Sequence, residues 1–130
     1  MVIDTSALAS IWRNDENAER LFHALMHDGS RVISAATVVD AAMRLLAERG
    51  GAADLELDAL LRELDVRVLP MTAEQSHRAR EAARTYGHGR HEASLTLADC
   101  FSYAASVEMG EPLLFVGERL AATDVDAVVW

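Results

Sequence analysis

The sequence predicts an α/β fold in three layers, with a central, mainly parallel sheet covered by helices on both faces. Short apolar runs, mostly β-branched or leucine-rich, alternate with stretches whose apolar residues recur at i, i+3, i+4 and i+7. Runs of this kind are expected of strands buried on both faces. The 130 residues are 51% hydrophobic, with two prolines and seven glycines, enough for one sizeable core and too few for two domains. Residues 1–130 are therefore read as a single domain.

Taken in order, Val2 to Asp4, Arg31 to Ser34, Val66 to Leu69 and Leu113 to Val116 read as strands. Ala127 to Val129 reads as a further one, which gives a sheet of four or five short strands. Helical stripes lie between them: Ala18, Leu21, Phe22 and Leu25; Leu57, Leu60, Leu61 and Leu64; Ala79, Ala82, Ala83 and Tyr86. Capping-box spacing at Thr37 and Asp40, Thr72 and Gln75, and Thr96 and Asp99 predicts helices starting near residues 38, 73 and 97. On the last of these, Leu97, Phe101, Ala104 and Ala105 form the expected buried stripe, with Asp99 flanking it. No repeat, low-complexity tract or linker interrupts the chain.

Composition excludes several functions. The longest apolar runs, such as Ala35 to Val39 and Pro112 to Val116, fall far short of the roughly 20 residues of a membrane span. The opening Met1-Val2-Ile3-Asp4 has no basic stretch before an apolar one, so no secretory signal is read, and a single cysteine, Cys100, fits a reducing cytoplasm. All 12 basic residues are arginine. Without lysine there is no P-loop phosphate ligand and no Schiff-base amine. A net charge of −9 opposes non-specific binding to duplex DNA.

In an α/β fold, chemistry belongs at the carboxyl edge of the sheet. Asp4 stands where the first strand stops, and Asp40 and Asp99 each stand third in an expected helix. Each also suits a plain helix-terminal role, as an N-cap or as a charge complementing the macrodipole. Three acids at one edge would repel one another unless a cation joined them, and an all-oxygen donor set favours Mg²⁺ or Mn²⁺. Such a cluster suits metal-assisted hydrolysis of a phosphodiester. Basic residues concentrate between Ser76 and His91, where Arg80 and Arg84 share a helix face and Arg90 lies in a glycine-rich loop. This segment is either a solvated face or a contact for RNA phosphates. The histidines lack zinc spacing, and Cys100 reads as a packed small side chain.

These motifs resemble the PIN-domain ribonucleases, in particular the VapC-type toxins of toxin–antitoxin pairs, over nearly the whole chain. Val2-Ile3-Asp4-Thr5-Ser6-Ala7-Leu8 resembles the family's opening strand with its first metal-binding acid. Tyr86-Gly87-His88-Gly89-Arg90-His91 resembles a loop of one VapC subgroup, and Leu97-Ala98-Asp99-Cys100-Phe101-Ser102-Tyr103-Ala104 its central acidic helix. Pro112-Leu113-Leu114-Phe115 with Gly117, then Thr123-Asp124, resemble its closing strand and acidic pair.

The resemblance implies a PIN-like α/β/α domain that hydrolyses RNA with Mg²⁺ or Mn²⁺. Asp4, Asp40 and Asp99 would hold the metal, and Arg80, Arg84 and Arg90 the RNA. It also implies a homodimer and a VapB-like antitoxin, and an acidic toxin suits a partner segment rich in arginine or lysine. Two departures stand out. Asp40 replaces the family's usual Glu, and Arg119 occupies the place of the fourth acid, leaving Glu118 or Asp124 as substitute ligands and Arg119 as a further RNA contact. The alternative reading is a PIN-like module with weakened catalysis that binds RNA or an antitoxin. A phosphotransfer domain is disfavoured by the absence of lysine and of a DxD pattern at Asp4.

Overall fold

A computed structural model describes residues 1–130. Its sheet has four parallel strands in the order β3-β2-β1-β4: β1 (Val2–Ile3), β2 (Val32–Ser34), β3 (Arg67–Leu69) and β4 (Leu113–Leu114). The helices are α1 (Thr5–Arg13), α2 (Ala18–His27), α3 (Ala35–Arg49), α4 (Ala53–Glu63), α5 (Ala73–Tyr86), α6 (Leu97–Met109) and α7 (Glu118–Ala121). The expected fifth strand reduces to one parallel bridge between Leu113 and Ala127.

The period-two alternation of a strand divides the core in two. Ile3, Ile33 and Leu114 point into one cluster with Leu8, Leu21, Leu25, Leu45 and Leu57, which come from α1 to α4. Val2, Val32 and Leu113 point the other way, onto Ala79, Ala82, Ala104 and Ala105 of α5 and α6. This is the three-layer arrangement expected from the sequence. Small alanines on α5 and α6 let those helices lie close to each other and to the sheet.

Two of the three helix starts agree. Thr72 caps α5 by accepting from the Gln75 N–H, and Thr96 with Asp99 forms a full capping box on α6. The third is corrected: α3 begins at Ala35, capped by Ser34, so Asp40 lies in its second turn. Thr37 is fully buried and turns inward to bond Ser102. Leu97 is also corrected, since it is 71% exposed and the buried side of α6 is formed by Cys100, Ala104 and Ala105. The glycine loop after α5 is pinned, with Leu95 N–H donating to the Tyr86 carbonyl and Gly87 pairing with Leu95. No helix is long and apolar enough to cross a membrane.

Candidate active site

Because all four strands run the same way, β1 and β4 end side by side at one edge, where the chain turns from the sheet into α1 and α7. A pocket opens there. Its acids are Asp4, Asp40, Asp99 and Glu118, and its basic groups are Arg44 and Arg119.

Asp4 is the N-cap of α1 and also a wall of the pocket. Its Oδ2 accepts from the Ser6 N–H at 2.8 Å and from the Ser6 hydroxyl, and its Oδ1 accepts from the Ser102 hydroxyl at 2.6 Å. Ser102 spends its only proton on Asp4, so the Thr37 hydroxyl at 3.2 Å must be the donor to Ser102. A buried hydroxyl chain thus ties β1, α3 and α6 together beneath the pocket. Burial raises the Asp4 pKa, the hydrogen bonds from Ser102 and Ser6 oppose that rise, and the neighbouring charge of Asp99 adds to it. The Ser6 hydroxyl also accepts from the Val116 N–H at 2.9 Å, fixing the end of β4 to the start of α1.

Asp99 likewise belongs to a helix cap and lines the pocket. Its Oδ2 accepts from the Thr96 N–H and hydroxyl, each at 2.8 Å, and from Arg119 Nε at 2.7 Å, while its Oδ1 has only Arg119 Nη2 at 3.4 Å. Asp40 differs from both: its Oδ2 is buried with no partner, although Arg44 lines the same pocket one helical turn on. Between β4 and α7, Gly117 adopts φ 109 and ψ 177, a conformation open almost only to glycine, and so aims Glu118 and Arg119 at the pocket.

The other expected site residues lie elsewhere. Asp124 is outside the acidic pocket. It accepts from the Tyr103 hydroxyl at 2.7 Å, a bond that, helped by Tyr86, lowers its pKa and satisfies it without a cation. Arg80, Arg84 and Arg90 are exposed and do not line the pocket. Arg84 lies 3.9 Å from Glu81 and Arg78 lies 2.9 Å from Glu74, so acids one turn away partly neutralise the expected basic face. Arg119, expected to be free for RNA, is engaged with Asp99. Burial pushes the Cys100 thiol up to about 11, consistent with a packed, unreactive side chain. Arg44, Ser6, Thr37 and Ser102 were not anticipated. Arg44 stands at i+4 from Asp40 and Ser102 at i+3 from Asp99, spacings that place them on the acids' helix faces.

The pocket suits a hard cation in its donor chemistry: oxygen ligands only, one orphaned buried carboxylate oxygen, and two further buried acids whose charges oppose each other. As the side chains stand, no three acid, imidazole or thiol groups already converge into a metal cage.

A parallel sheet covered by helices on both faces, with acids gathered at its carboxyl edge, defines the class of α/β/α folds to which the chain is similar among known proteins. The PIN-domain family matches residues 1–126, and the chain belongs to that family. Within it, the chain is 43% identical to a ribonuclease VapC of Mycolicibacterium smegmatis, over 98% of this chain and 99% of that one. It is 41% identical to ribonuclease VapC30 of Mycobacterium tuberculosis, over 98% of each chain. The fold is shared with the crystal structure of VapC20 of Mycobacterium tuberculosis, a Sarcin-Ricin loop cleaving toxin, at a TM-score of 0.78, 19% identity and coverage of 98% and 97%. It is also shared with a toxin–antitoxin complex from Klebsiella pneumoniae, at a TM-score of 0.70, 16% identity and coverage of 98% and 95%.

Proposed function

We propose that this protein is a divalent-metal-dependent endoribonuclease of the VapC toxin type, restrained by a VapB-like antitoxin. The observation that carries the reading is the meeting of Asp4, Asp99 and the unpartnered Asp40 in one pocket at the carboxyl edge of the sheet. Asp4, Asp40 and Asp99 would hold Mg²⁺ or Mn²⁺, with Glu118 at the rim. Asp124 is withdrawn as a ligand because the tyrosines hold it. When bound, such an ion supplies an activated water and neutralises charge on the phosphate in the transition state.

The protein's own residues do the positioning. Ser102 and Ser6 fix both oxygens of Asp4, and Thr96 donates its N–H and hydroxyl to Asp99 while accepting the Asp99 N–H to cap α6. Asp40 lines the same pocket and keeps one buried oxygen without a partner. RNA would run over the pocket mouth and the exposed arginines Arg80, Arg84 and Arg90, whose role is charge contact with phosphates. Relatives named as ribonucleases and neighbours solved as toxin–antitoxin complexes support the substrate and the partner. A homodimer and a cytoplasmic setting are part of the same reading.

The purified chain is expected to cut single-stranded RNA when Mg²⁺ or Mn²⁺ is present, to stop in chelator, and to resume when the ion is restored. Cleavage unaffected by chelator would refute metal dependence. Metal-independent RNA binding without cleavage would favour the catalytically weakened module.

A further inference from the structure

Two carboxylates of the pocket differ in a way that the helix caps do not explain. Asp99 Oδ2 already accepts two bonds from Thr96, the one from its N–H belonging to the capping box, yet Arg119 Nε adds a third at 2.7 Å. Asp40, in the same pocket, has a buried oxygen with no partner. The guanidinium is therefore surplus to the cap and answers the negative charge of the pocket, where both Asp99 and Asp4 act on it. Its placement also allows it to leave. The Arg119 side chain is 52% exposed, against 8% for Asp99, and it projects from the four-residue α7, whose hold on the core is the neighbouring Leu120. Swinging away would break one ion pair whose guanidinium is half-exposed, leaving the buried Asp99 carboxylate to be answered by whatever cation enters.

We propose that Arg119 is a built-in counter-cation of the metal site: it holds Asp99 while no ion is bound, and a divalent ion gains Asp99 only by displacing it. This rests on the metal-site reading above. The physical consequence is competition, because an ion entering beside Asp4 and Asp40 meets a carboxylate already neutralised and a fixed positive charge that repels it. The protein then trades metal affinity for a metal-free state that tolerates its clustered acids.

The test is calorimetric titration of Mn²⁺ into the parent, Arg119→Gln, and the double variant Asp99→Asn with Arg119→Gln, with melting temperatures in chelator and in Mn²⁺. Arg119→Gln is expected to bind Mn²⁺ about tenfold more tightly than the parent, the scale of one charge-assisted contact. Its metal-free form should melt below the parent, and Mn²⁺ should raise its melting temperature by more. Equal or weaker Mn²⁺ binding by Arg119→Gln overturns the counter-cation while leaving the metal site intact. If the double variant binds Mn²⁺ as tightly as Arg119→Gln, Asp99 is no ligand and both readings fall, as they do if no variant binds Mn²⁺.

Discussion

Helices α1 and α3 both start at the carboxyl edge of the sheet and run back together, and their two ends treat acidic residues in opposite ways. At the starting end, Asp4 is buried, with its pKa raised, and Asp40 has an unpartnered oxygen. At the far end, Glu48 of α3 accepts from the Trp12 indole at 2.9 Å and from Arg13 Nε at 3.1 Å, both on α1. Arg49 completes that end by donating to the Trp12 carbonyl and pairing with Glu56 at 2.8 Å. The same pair of helices is fastened by charge at one end and left with excess negative charge at the other. An acid fully answered by its neighbours serves the fold, and one left unanswered in a pocket is available to a ligand.

The contrast is broken most strongly by removing charge at the open end. Asp4→Asn, Asp40→Asn and Asp99→Asn are each expected to lower RNA cleavage on the order of 10²-fold or more, the several kcal/mol that a metal contact contributes to the transition state. Asparagine caps a helix as well as aspartate does, so Asp4→Asn should keep its circular dichroism spectrum. Asp124→Asn, outside the pocket, should leave cleavage near the parent rate. Parent-like cleavage by Asp4→Asn would remove the metal-site assignment.

At the closed end the effect should fall on stability. Glu48→Ala leaves the indole N–H of the buried Trp12 without its acceptor, which costs about 1–2 kcal/mol in denaturant unfolding, while cleavage rate is unchanged. A loss of cleavage without loss of stability would show that the two ends are not separable.

The smallest effect sharpens the comparison through acid. The Arg13 hydrogen bond pulls the Glu48 pKa down from 4.5 to about 2. Between those values the unfolded chain binds the proton and the folded chain does not, so stability from this contact is complete above the unfolded pKa and is lost as pH falls towards about 2. In Glu48→Gln that part of the acid-unfolding slope should vanish. Solvent screening of the half-exposed Arg13 keeps the change modest.

How far the site could be read from the chain depended on how local its chemistry is. Asp4 and Asp99 were legible because a strand end and a capping box are short-range patterns, and each acid fills its local role and the pocket role together. The start of α3 was misplaced because Ser34 and Thr37 both make plausible caps, and only the distant Ser102 draws Thr37 inward. Leu97 was misread because a helix's first turn can overhang its core. Asp124 looked like a ligand until Tyr86 and Tyr103 came to face it, and Arg119 looked free until α7 folded over Asp99. Those contacts span 20 residues or more and leave no trace in local spacing.

The order in which the sheet is threaded bears on when the pocket can exist. β1, made from Val2 and Ile3, pairs with β4 at Leu113 and Leu114, and the pocket closes only with residues up to Leu120. During synthesis the first strand must therefore wait for nearly the whole chain before its second neighbour exists. A ribosome that stalls partway through this message releases a fragment lacking α7 and one wall of the pocket. By its topology the nascent chain lacks a complete pocket until α7 has been made.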